Sequence, residues 1–151
     1  MYELVLAVHS WMRWAAIITG VLATFAALSG RSSEGDAKAE RFGKFFIIAL
    51  DIQFLIGLLL YFVLSPTTKA ILNDFGAAMK DPVARFWAVE HGVTMIAAVA
   101  IAHIGKVMAR KAPNPRSKQM RLTLAYMLAT ILILVRTPWP GMTGGRPLFR
   151  L

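Results

Sequence analysis

Four stretches of mostly apolar residues, each near the length needed to cross a bilayer, constrain this chain more than any other feature. Leu4 to Leu28 is apolar apart from His9, Ser10, Arg13 and two threonines. Phe45 to Leu64 holds 20 residues with one charge, Asp51, and Phe86 to Gly105 holds 20 with one charge, Glu90. Leu122 to Val135 is uncharged and extends back to Gln119 and forward to Thr137. A hydrocarbon core takes roughly 20 apolar residues per helix, so all four qualify as spans. The expected fold is a single all-α domain over 1–151, an integral membrane four-helix bundle running up-down-up-down, with spans near 4–29, 44–64, 83–108 and 119–137. The start, Met1-Tyr-Glu, lacks the positive n-region of a secretory signal, so the first segment is expected to remain as a span.

Composition narrows the function classes. The chain is 57% hydrophobic and 17% charged, with no cysteine, which removes disulfides, zinc knuckles, iron–sulfur clusters and thiol nucleophiles together. The net charge of +9 raises nucleic acid as a partner, but a nucleic-acid module has no need of four long oily segments. The cations are better read as a membrane skirt. Gly30 to Lys44 and Lys106 to Arg121 carry ten Lys/Arg between them, against six on the other side (Lys69, Lys80, Arg85, Arg136, Arg146, Arg150). Cytoplasmic loops are the more positive, so both termini are expected outside the cytoplasm. No Gly-flanked serine elbow, phosphate loop or metalloprotease motif points to hydrolysis.

The connectors carry helix punctuation. Ser65-Pro66, Asp81-Pro82 and Asn114-Pro115 each pair a capping side chain with a proline suited to the first helical position. The first predicts a short amphipathic helix over Thr67 to Lys80, with Ile71, Leu72, Phe75, Ala78 and Met79 on one face, lying on the membrane surface. The Pro- and Gly-rich segment 138–151 reads as an irregular tail over the helix ends.

Ionisable groups inside spans are expensive, and they mark functional or paired positions. His9 and His91 each lie five residues into their spans, about 7–8 Å below the span's start at 1.5 Å per residue. Spans one and three run in the same direction, so the two imidazoles share a depth. As diagonal partners in a bundle the two helices would stand about 11–14 Å apart, room for a macrocycle held by a histidine on each side. Small residues follow both: Ala16, Gly20 and Thr24 below His9, and Thr94, Ala98, Ala102 and Gly105 below His91. Such stripes either open the centre or let helices approach closely. Gln53, Gly57 and Tyr61 in the second span, and Tyr126 and Thr130 in the fourth, are expected to point inward as well.

Porphyrin carboxylates need cationic partners, for which Arg13, Arg85 and Arg136 are the candidates. Glu90 is placed to pair with Arg13 or to fix a histidine tautomer. The bland alternatives stand beside these readings. An intramembrane histidine also serves as a helix–helix hydrogen-bonder, and Trp11, Trp14, Trp87 and Trp139 form an interfacial aromatic belt more readily than a stack on a cofactor, for which Trp14 is the candidate. Asp51 and His103, at matching depths on the opposite side, are expected to hydrogen-bond one another; the sharper alternative is a proton relay or a quinone headgroup site.

The segments His9-Ser-Trp-Met-Arg-Trp14, Phe86-Trp-Ala-Val-Glu-His91 and Pro138-Trp-Pro140 resemble those of small bacterial four-helix membrane proteins of the cytochrome b-like type. The resemblance runs over nearly the whole chain. It implies one haem b bound by the histidines at His9 and His91, and membrane electron transfer with a quinone or a redox protein, alone, as a homo-oligomer or as a subunit of a larger complex. The second ligand pair of larger di-haem b cytochromes is absent. Two readings of other classes remain: a non-catalytic accessory subunit, and a small proton or solute transporter built on Asp51, His103, Arg13 and Glu90.

Overall fold

In the computed structural model, residues 1–30 and 33–149 are described. Arg31 and Arg150, two of the cations in the orientation argument, lie outside them. Helix α1 spans Tyr2–Ser29 and α2 spans Ser33–Leu59, running on through a π-helical turn at Leu60–Leu64. Two short helices follow, α3 (Pro66–Asn73) and α4 (Phe75–Ala78). Helix α5 (Pro82–Arg85) passes through a second π-helical turn, Phe86–Glu90, into α6 (His91–Arg110), and α7 spans Pro115–Arg136. The described residues contain no strand. Four of these helical runs are long and apolar enough to cross a bilayer.

The boundaries follow from local chemistry. At each of the three cap–proline pairs the side chain accepts a hydrogen bond from a backbone N–H three residues on: Ser65 from Thr68 (3.1 Å), Asp81 from Ala84 (2.6 Å) and Asn114 from Ser117 (2.8 Å). The stretch read as one surface helix over 67–80 is instead two. Asp74 leaves the helical conformation and accepts from the Ala77 N–H at 2.9 Å, so a second cap interrupts the run and starts α4. Leu72 and Phe75 stay exposed. The segment taken as a loop up to Lys44 is already helical from Ser33, because Ala37, Lys38, Ala39, Glu40 and Arg41 are strong helix formers that carry α2 beyond its apolar stretch.

Helix α1 packs along both α2 and α7, and α6 packs along α7, whereas α2 approaches α6 only sparsely. Helices α1 and α6 therefore stand across from each other. Small residues make the close approaches: Ala23, Ala27, Ala98, Ala102 and Ala129 are almost wholly buried in one cluster with the large side chains of Phe46 and Tyr126. Gly20 is needed where it is, since a Cβ there would sit 2.5 Å from Thr130 Oγ1 and 2.8 Å from the Phe46 ring. A Cβ at Gly105 would collide with that of Ala125. The outward faces of the long helices are apolar, with Ile18, Phe25, Leu55, Phe62, Ile96 and Val135 among the exposed residues. Such faces suit a lipid bilayer and would be costly in water.

The tail folds back over the helix ends as an ordered strap. Gly141 and Gly144 take positive φ (84° and 71°), which glycine adopts without a Cβ penalty. The Arg146 N–H donates to the Pro138 carbonyl (3.0 Å), closing the loop, and Phe149 lies against Trp11 and Trp14.

Candidate functional site

Where α2 and α6 stand apart, a cavity of about 480 Å³ opens among the ends of α1, α2, α6 and α7. That lies within the roughly 300–1,000 Å³ of ordinary small-molecule and cofactor sites. Its walls are mainly apolar, and the polar groups that reach it are few: His9, Ser10, Arg13, Gln53, Tyr61, His91 and Arg146 among them. Both candidate histidines thus face one space from opposite helices, α1 and α6.

The two imidazoles are held differently. His91 Nδ1 lies 2.9 Å from the Arg136 backbone carbonyl, a bond that requires the proton on Nδ1 and, in the neutral ring, leaves the Nε2 lone pair available. Metal-binding histidines characteristically carry this kind of backbone anchor on the second nitrogen. His9 Nε2 is 3.3 Å from the Gln53 side-chain nitrogen, while His9 Nδ1 is buried with no partner. Gln53 Oε1 is likewise buried and unpartnered. Backbone shape makes the room: a Cβ at Gly57 would lie 3.2 Å from the His9 ring, and a Cβ at Gly92 would meet nothing within 4 Å. Two imidazoles of opposed helices thus reach one mainly apolar cavity, the donor type that a bis-histidine haem site uses: His91 Nε2 has no partner among the described residues, while His9 Nε2 is engaged by the Gln53 amide. Among the described residues no group of three or more His, Asp or Glu side chains comes together, so a metal held by carboxylates and histidines jointly has no such cluster to use.

Two π-helical turns frame the cavity. The Tyr61 hydroxyl donates to the Ala88 carbonyl at 2.5 Å, joining the turn that ends α2 to the one that opens α6. A π-helical turn shifts the i→i+4 ladder, and such turns are frequent at functional sites. Nothing in hydrophobic periodicity announces them.

The arginines divide. Arg13 lines the cavity and is the sole buried charged side chain among the described residues, at 8% exposure. Its guanidinium lies between Trp14 and Trp139 (5.4 and 5.9 Å to the ring centroids) and donates to the Leu148 carbonyl at 2.5 Å, which Trp14 also reaches at 3.2 Å. Trp14 therefore fastens the tail and is not a wall of the cavity. Arg85 and Arg136, read as carboxylate partners of a cofactor, instead grip the two oxygens of Glu90 at 2.8 and 3.2 Å. Glu90 pairs with these two cations and not with Arg13, and none of the three lines the cavity. Arg146 takes a place there that the sequence reading did not give it, held 5.1 Å above the Trp87 ring. It comes from an irregular tail, where no periodicity signals which way a side chain faces. At the far end, His103 Nε2 and Asp51 Oδ1 meet at 2.8 Å, as their matching depths suggested, with both side chains nearly half exposed.

Comparison with family models, with curated proteins and with solved structures finds no match to this chain.

Proposed function

We propose that this chain is a b-type cytochrome-like membrane protein. In this reading its four long helices cross the bilayer as an up-down-up-down bundle, α3 and α4 lie at one surface, and His9 and His91 bind one haem b between them. The observation that carries the reading is that both imidazoles line one apolar cavity from facing helices, with His91 already anchored through Nδ1. The haem, when bound, supplies reversible one-electron chemistry. Two imidazole ligands leave iron no open coordination position, so the group carries electrons rather than activating oxygen. The chain's own part is to hold the histidines, exclude water with the apolar walls and keep His91 oriented through the Arg136 carbonyl. A quinone or an external redox protein would be the exchange partner.

The test is an absorption spectrum of the purified protein, oxidised and then dithionite-reduced, after expression with ample haem. A low-spin Soret and α band should appear, vanish in His9→Ala and His91→Ala, and persist in His103→Ala. A wild-type sample that folds and shows no Soret band refutes the reading.

One observation favours a second reading, an accessory subunit of a larger membrane complex. The Asp51–His103 pair sits nearly half exposed on spans whose other outward residues are apolar, a costly arrangement against lipid unless another chain covers it. Asp51→Asn would then weaken assembly in native membranes while leaving any haem spectrum unchanged.

A further inference from the structure

Arg13 presents an unresolved electrostatic problem. It is buried, it is charged at every accessible pH, and among the described residues no carboxylate lies within ion-pair distance of it. Its bonds to the Leu148 carbonyl and Ser10 Oγ satisfy only part of the guanidinium, and its Nε is buried without a partner. A buried cation with neither counter-charge nor full hydrogen bonding is unfavourable unless something supplies both. Arg146, half-buried, is a second cation at the same cavity. It too lines the cavity, rests on the Trp87 ring and has no carboxylate partner among the described residues. By contrast, Arg85 and Arg136 share the carboxylate of Glu90, and neither lines the cavity. Two guanidinium groups with no carboxylate partner among the described residues thus reach one mainly apolar cavity, at the end walled by the C-terminal strap.

We propose that Arg13 and Arg146 form a carboxylate-binding site for the acidic end of an apolar ligand lying in this cavity. The proposal deepens the cofactor reading and rests on it for the ligand: the carboxylates would be haem propionates. A long-chain fatty acid offers the same chemistry, an oily body with a carboxylate at one end. The strap has a role in either case, because it delivers Arg146 and its Leu148 carbonyl fixes Arg13.

The experiment compares ligands that differ only in the carboxylate, using the full chain in detergent. Haemin and haemin dimethyl ester are titrated in parallel, as are a long-chain fatty acid and its methyl ester, with quenching of tryptophan fluorescence as the readout, since Trp87 lines the cavity. Charge-assisted hydrogen bonds of this kind correspond to about a ten- to hundredfold preference for the free acid. Arg146→Gln should reduce that preference about tenfold, and Arg13→Gln should reduce it too if that variant folds. Arg85→Gln should leave it intact. Equal binding of haemin and its diester, or a preference that survives Arg146→Gln, overturns the carboxylate site while leaving histidine ligation standing. Binding of the fatty acid but of neither haemin form, lost in Arg146→Gln, keeps the site and removes the haem reading. Binding of none of the four ligands overturns both.

Discussion

The half of the molecule around Phe46 and Tyr126 and the half around His9 and His91 are built by the same four long helices, with small residues plentiful in each. In the first half the glycines meet large or close neighbours: Gly20 admits the Phe46 ring, Gly43 admits Tyr126, and Gly105 lets α6 lie against Ala125 of α7. In the second, Gly92 faces open space and Gly57 borders only the His9 ring. A small residue therefore does not by itself decide between close packing and a void. What decides is whether a large side chain on a neighbouring helix projects into the space. Phe46 and Tyr126, edge to face with centroids 5.7 Å apart, do so in one half; in the other half the π-helical turns at Leu60–Leu64 and Phe86–Glu90 redirect the helix ends around the cavity.

The sharpest way to break this contrast is to empty the filled half. Phe46 is wholly buried, and Phe46→Ala should cost about 3–5 kcal/mol, read as a lowered unfolding midpoint in detergent. Overfilling the same half comes next. Gly105→Val would force α6 away from Ala125 and should cost about 1–3 kcal/mol by the same assay. If both substitutions prove neutral, the two halves are equally loose and the distinction fails.

These two positions also show where sequence reasoning reaches. Four spans, three cap–proline helix starts and the tail over the helix ends are local or compositional properties, and each is legible from a few consecutive residues. Partner choice is not. Glu90 lies between possible partners at Arg13, Arg85 and Arg136, and only the rotation of α6 after its π-helical turn directs it to the latter two. The stripe from Ala16 through Gly20 likewise permits either an open centre or close contact, and Phe46, on another helix, settles the matter. Arg146 was beyond reach because a tail with two positive-φ glycines has no period from which its facing can be read.

A smaller effect tests how the open half is held open. Tyr61→Phe removes the hydroxyl that joins the two π-helical turns and leaves the Ala88 carbonyl without that donor. The expected loss is about 1 kcal/mol of stability. Hydrogen exchange should also quicken at Leu60–Leu64 and Phe86–Glu90 but not around Phe46. Uniform acceleration throughout the chain would mean that the bond is merely one contact among many.

The smallest change has the opposite sign. Gly92 lies in the first turn after the π-helical segment, and a Cβ there meets nothing within 4 Å. Gly92→Ala thus adds a methyl group to the cavity wall without displacing anything. It also restricts the unfolded chain and improves helix propensity, worth about 0.5–1 kcal/mol in a helix interior. Stability should rise by that amount in the ligand-free protein. The identical substitution at Gly20 or Gly105 should lower it, because there the added atom meets Phe46 or Ala125. One chemical change with opposite signs in the two halves isolates the packing difference from propensity, which is common to all three sites. If Gly92→Ala destabilises as much as Gly20→Ala does, the cavity is closed in the folded protein and the histidines have no space to share.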